Sequence, residues 1–145
     1  MWAVENALPT FIDNLNPEKI DIMTTDMPYL YKEITECFPE HTFSQYTSIM
    51  DHNQRYYYTV MGGESDEKWS EDMQSDQATI RSESDNYYSY IAPGCRHCII
   101  HMDEMYEIES AGTSLMGWLS NMIDEQPLEQ VTCSECDLQC LPGDH

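Results

Sequence analysis

Positive charge is what this sequence has least of. Only 6 Lys and Arg stand against 27 Asp and Glu, which leaves a formal net charge of −21. A phosphate backbone is gripped by clustered Lys and Arg, so the composition excludes nucleic acid as a partner. It excludes an anionic membrane surface on the same ground. The acidity reads as a solvated, self-repelling surface. No stretch approaches the ~18 apolar residues of a membrane-crossing helix, so no membrane span is expected. The opening Met1-Trp2-Ala3-Val4-Glu5-Asn6 lacks the basic start and apolar run of a secretory leader. For a complete protein that would mean the cytosol, whereas for a fragment it carries no information. There is no Asn-x-Ser/Thr sequon, no internal repeat and no domain-scale linker. There is also no Gly-x-Ser-x-Gly turn.

What is present suffices for one domain with a real core. The chain has 145 residues, of which 41% are apolar. Trp2, Leu8, Phe11, Ile12 and Leu15 share a face and predict a helix over 2–15, bent or split at Pro9. A second helix is predicted over 26–37, with Asp26 as N-cap, Pro28 in its first turn and Leu30, Ile34 and Cys37 on one face. Weak alternation from His41 to Ser48 predicts a short strand. Helices are expected over 53–61, ended by Gly62-Gly63, and over 66–82, anchored by Trp69, Met73 and Ile80. Asn86 to Ala92 reads as the next strand, broken by Pro93-Gly94, and Ile99-Ile100 as a resumed extended path. Leu115, Trp118, Leu119, Met122 and Ile123 follow a 3.6 period and predict a helix over 113–124. Helix, strand, helix, strand, helix is the order of an α/β layer architecture.

Two titratable residues stand where predicted strands run out into loops, Asp51 first and His97 second. A catalytic imidazole needs its tautomer and orientation set by a buried carboxylate, and then acts as general base on a nucleophile. Loops leaving the carboxyl ends of strands are where such groups gather in open α/β sheets. In α/β-hydrolases the chain order is Ser, acid, His, and only the last two are present here. The alternative reading is an Asp that caps the next helix and a His satisfied in a loop. Gly112-Thr113-Ser114-Leu115-Met116-Gly117 imitates a nucleophile turn, but its second glycine comes one residue late and it follows His97. Ser114 is therefore read as a first-turn helix residue. The tyrosines Tyr56-Tyr57-Tyr58, Tyr87, Tyr88 and Tyr90 are read as half-buried packing, with a sugar-stacking surface as the alternative. The acidic run from Glu64 to Asp76 lacks calcium-loop spacing and reads as a solvated helix face.

Ser44-Gln45-Tyr46-Thr47-Ser48-Ile49-Met50-Asp51 with Gln54 and Tyr57, Met61-Gly62-Gly63, Trp69, and Tyr87-Tyr88-Ser89-Tyr90-Ile91 form an ordered series. It continues with Gly94-Cys95-Arg96-His97-Cys98-Ile99-Ile100, Met105-Tyr106, Gly112, Leu115, Trp118-Leu119 and Val131-Thr132-Cys133. Over these residues the chain resembles the C-terminal region of the pectinacetylesterase family, which includes Notum-like carboxylesterases. Gly-x-x-His-Cys and the final Val-x-Cys are the most specific elements, and residues 1–42 match more loosely. The resemblance implies a partial α/β-hydrolase-like sheet with flanking helices, a single partial domain over 1–145. It implies hydrolysis of O-acyl esters, commonly acetyl esters on polysaccharide, with Asp51 as triad acid and His97 as triad base. The serine and oxyanion-hole residues would belong to the missing N-terminal part of the same domain. It also implies the secretory pathway, and no cofactor.

The cysteines form two pairs, Cys95-x-x-Cys98 and Cys133-x-x-Cys136. The 34-residue gap between them contains a whole predicted helix, longer than the ~15–20 residues of compact zinc modules. A disulfide framework is expected instead, with Cys98 bridged to Cys133 or Cys136. Cys37 and Cys140 remain open. Two other readings stand beside the esterase: a non-catalytic, disulfide-stabilised acidic interaction module, and a small zinc-binding domain.

Overall fold

A computed structural model describes residues 27–133 and Cys140. The predicted helix over 2–15, the Asp26 cap and Cys136 lie outside the described residues. The elements are α1 (Met27–Cys37), β1 (Phe43–Ser48), α2 (His52–Val60), α3 (Asp66–Glu83) and β2 (Tyr87–Ala92). A 3-10 turn (Asp103–Tyr106), a two-residue hairpin of β3 (Glu109–Ser110) and β4 (Thr113–Ser114), and α4 (Leu115–Ile123) complete the elements among the described residues. This is a mixed α/β protein. No described helix is long and apolar enough to cross a membrane.

The chain divides into two compact units. In the first, α1 is followed by a turn whose carbonyls are collected by one side chain. Asn86 Nδ2 donates to the carbonyls of Thr35, Phe38 and His41 at 3.2, 3.1 and 2.9 Å. The buried Thr35 hydroxyl meets Ser84 Oγ at 2.7 Å, and Tyr31 packs edge-on against the buried Tyr87. Cys37, expected to share the inner face of α1 with Leu30 and Ile34, is exposed; the inner position belongs to Thr35, two residues earlier.

The second unit comprises Ser44–Ser75 and the chain from Tyr88. Its frame is the pairing of β1 with β2. Ile49 N–H donates to the Ala92 carbonyl at 2.8 Å and Met50 N–H to that of Gly94 at 3.1 Å, so both strands advance in the same direction. Val131 makes a parallel bridge to Tyr90 on the other side of β2, through Ile91 N–H to Val131 O and Val131 N–H to Ser89 O, both 2.9 Å. β2 is thus central and is buried along nearly its whole length, as expected of a strand covered on both faces. Ile91 joins Ile49, Met50, Trp69, Met73, Cys95 and Cys133 in one cluster; Tyr90 and Ala92 join Ile99, Leu115, Trp118 and Val131 in another. Neighbouring strand residues point to opposite faces, so the first part of α3 covers one face of β2 and α4 the other.

Local sequence explains the helix ends. Gly62 takes φ +96°; Gly63 N–H donates to Tyr58 O at 2.8 Å and Gly62 N–H to Thr59 O at 3.0 Å. These are the two bonds of a Schellman stop, which a left-handed glycine permits. α3 starts on Ser65, whose hydroxyl accepts from Lys68 N–H at 3.1 Å. Ser114 is the N-cap of α4, accepting from Gly117 N–H at 3.2 Å, which disposes of the imitation nucleophile turn. Ile99-Ile100 is not a strand: Ile99 is buried in the second cluster and Ile100 is 84% exposed at a turn.

Candidate active site

Because β1 and β2 are parallel neighbours, their carboxyl ends lie on one side of the sheet. Asp51 comes three residues after the end of β1 and His97 five after the end of β2. The structure brings them together. His97 Nδ1 lies 2.9 Å from Asp51 Oδ2 and 3.0 Å from Oδ1. A carboxylate only accepts, so Nδ1 carries a proton, and in the neutral ring the lone pair is on Nε2. Asp51 is 1% exposed and the His97 side chain 38%. A buried carboxylate thus orients a ring that still meets solvent.

Asp51 is also the N-cap of α2. Its Oδ1 accepts from Gln54 N–H at 2.9 Å, and its Oδ2 from Gln54 Nε2 at 3.2 Å. The helix cap and the contact with His97 are therefore both made by the same side chain. One carboxylate has enough lone pairs for all three donors.

The loop bearing His97 is held by successive carbonyls. Gly94, at φ +86°, makes the left-handed turn out of β2, and its carbonyl accepts from Met50 N–H at 3.1 Å. The Cys95 carbonyl accepts from both the backbone N–H and the ring Nδ1 of His52, each at 3.1 Å. The Arg96 carbonyl accepts from Ser48 Oγ at 2.7 Å. Arg96 itself pairs with Glu104 at 3.1 Å. Sequence reading singled out neither Ser48 nor His52 for a role. Their only signal is position, each lying within a few residues of Asp51 at the end of β1.

The disulfides differ from expectation. Cys98, expected to bridge to Cys133 or Cys136, is a free and exposed thiol. The bridge in this loop is Cys95–Cys140, with Cα atoms 5.1 Å apart. The turn at Gly94 sends the Cys95 side chain into the core, where it is fully buried, and Cys98 faces outward three residues later. Cys133 does sit in a disulfide, though not with Cys98. With Cys95 and Cys133 both oxidised, the two Cys-x-x-Cys pairs do not present four thiolates to zinc. Among the described residues no group of three or more His, Cys, Asp or Glu is arranged to hold a metal. Arg55 Nη2 lies 3.7 and 3.9 Å from the two bridge sulfurs, and Nη1 pairs with Asp66.

The tyrosines divide. Tyr90 is fully buried, stacks on Tyr46, meets Trp118 edge-on, and donates to Thr113 O at 2.6 Å. Burial pushes its phenol up to about 12. Tyr56 and Tyr57, expected to be half-buried, are 63% and 61% exposed. Of that triplet Tyr58 is the one that packs against the first core cluster.

No protein-family model matches the chain, and neither a curated protein nor a solved structure is found to match it.

Proposed function

We propose that Asp51 and His97 are the acid and base of a serine ester hydrolase of pectinacetylesterase type, within a larger α/β-hydrolase-like sheet. The nucleophile and oxyanion donors would come from outside these 145 residues. One observation carries the reading: a 1%-exposed carboxylate holds Nδ1 of His97 at 2.9 Å, while the His97 side chain stays 38% exposed. In such a dyad the imidazole takes a serine hydroxyl's proton through Nε2, and the carboxylate stabilises the imidazolium that forms. The substrate class proposed is O-acyl esters, acetylated polysaccharide first, on the strength of the resemblance. The disulfides are compatible with a secreted protein, since such bonds persist in oxidising compartments.

A second reading is favoured by a separate observation. Tyr56, Tyr57, Val60 and Met61 are all more than 60% exposed at the C-terminal half of α2, as a non-catalytic interaction module would have them.

The test is p-nitrophenyl acetate hydrolysis by the full-length product of the gene. His97→Gln should lower turnover by about 10⁴-fold or more, and a fluorophosphonate should label one serine. Hydrolysis indifferent to H97Q, or no labelled serine, refutes the proposal. The 145-residue chain alone should show no triad turnover, because an acid and a base activate a nucleophile but do not replace one.

A further inference from the structure

The dyad chemistry leaves His52 without a role, yet its place is specific. It is the first residue of α2, directly after the capping Asp51. Its backbone N–H and its ring Nδ1 both lie 3.1 Å from the carbonyl oxygen of Cys95. A carbonyl oxygen accepts and never donates, so Nδ1 of His52 carries its proton and one residue occupies both lone pairs of one carbonyl. That carbonyl is two residues before His97.

His97 needs such an anchor. Its side chain is 38% exposed, so little packing restrains the ring from the solvent side. A catalytic group must be held within about 0.5 Å of its working position by neighbours that are themselves fixed. Here the restraint comes through the backbone, at the carbonyls of residues 94, 95 and 96. Met50 supplies a main-chain donor that no substitution removes short of proline. Ser48 supplies a hydroxyl from the strand end. His52 supplies the double grip, and because the same helix N-terminus is capped by Asp51, it ties the loop of the base to the segment of the acid.

We infer that His52 is a positioning residue for His97: its Nδ1–H fixes the Cys95 carbonyl and so sets the loop that presents His97 Nδ1 to Asp51. The inference rests on Asp51–His97 working as a dyad, and it assigns His52 no contact with substrate.

The experiment reads ring geometry directly, by long-range ¹H–¹⁵N spectra of the histidine-labelled 145-residue chain. In the unmodified chain His52 and His97 each show a single Nδ1–H tautomer. In His52→Ala the His97 tautomers mix. His52→Asn, whose amide nitrogen can stand where Nδ1 stood, restores the single form. A merely structural histidine would not be rescued in this signal. If H52A does not fold, His52→Ser keeps a polar first turn without reaching the carbonyl, and it is read the same way. A His97 signature unchanged in H52A or H52S overturns the inference, as does mixing that H52N fails to restore. Asp51→Ala separates the two readings. A His97 tautomer insensitive to D51A brings down the dyad, whereas the His52 variants alone judge the grip on the loop.

Discussion

Asp51 serves two structures at once, and substitutions can separate them. Asp51→Ala removes every bond of the carboxylate: the cap on Gln54 N–H at 2.9 Å, the Gln54 Nε2 contact at 3.2 Å and the His97 pair at 2.9 Å. Loss of a helix N-cap costs about 1 kcal/mol. Each side-chain bond adds about 0.5–1.5 kcal/mol, toward the low end because Gln54 and His97 can turn to water. The total is about 2–4 kcal/mol. For a chain of this size each kcal/mol shifts Tm by about 3–4 °C, so D51A should lower it by about 6–16 °C. Asp51→Asn behaves differently. Asn caps as well as Asp, and its carbonyl oxygen can serve Gln54 N–H. Its amide nitrogen meets the donor Gln54 Nε2, a conflict that a flip of the Gln54 amide relieves. D51N should therefore cost about 1 kcal/mol or less. In a working hydrolase the same change should cost on the order of 10⁴ in turnover, since the carboxylate's charge and the tautomer it dictates are lost. Thermal unfolding by circular dichroism decides the stability half. D51N as damaging as D51A would refute the retention of the cap and the Gln54 bonds by Asn; D51A without effect would refute both roles.

Three further outcomes are expected. Iodoacetamide should label Cys37 and Cys98 in the native, unreduced chain and leave Cys95, Cys133 and Cys140 unlabelled until reduction; a protected Cys98 would refute the pairing. Cys140→Ser should destabilise by about 3–4 kcal/mol, from the loop of 45 residues that the bridge closes. With free thiols blocked, stability should fall between pH 10 and about 12, measured as the urea midpoint. The Tyr90 phenol rises from 10.0 to about 12 on folding because burial disfavours the anion. Its contribution is fully present below pH 10, where both states keep the proton, and is lost as pH climbs toward the folded value, where the unfolded chain ionises first. The loss from Tyr90 is about 2–3 kcal/mol, and Tyr87, also raised by burial, adds in the same direction. A Tyr90→Phe chain with an undiminished alkaline decline would refute the assignment.

Much of the fold was legible in local pattern. The period of Trp69, Met73 and Ile80 marks a helix over 66–82, and α3 spans Asp66–Glu83. Gly62-Gly63 marks the end of α2, since a left-handed stop selects glycine. Asp51 and His97 could be placed at strand ends because Pro93-Gly94 and the helix after Ser48 break the strands there. Cues of this kind act over a few residues, and a linear sequence carries them whole.

Other features depend on which segments meet. Whether the two strand ends share an edge is decided by the parallel register of β1 on β2, and that register decides that Asp51 faces His97 at all. The Val131 bridge is a single residue with no strand pattern to announce it. The expectation places the disulfide at Cys98, but the turn at Gly94 puts Cys95 inside and Cys98 outside. Bridge geometry is a matter of Cα separation and side-chain direction, not of count along the chain. The exposure of Tyr56 and Tyr57 was likewise hidden, because an aromatic residue's burial is set by what packs over it. The sequence alone determined the helices α1 to α4, the strands β1 and β2, and the two residues worth pairing. The tertiary structure decided their pairing, the grip of His52 on the His97 loop and the disulfide, because each joins residues more than forty apart in the chain, where no local propensity reaches.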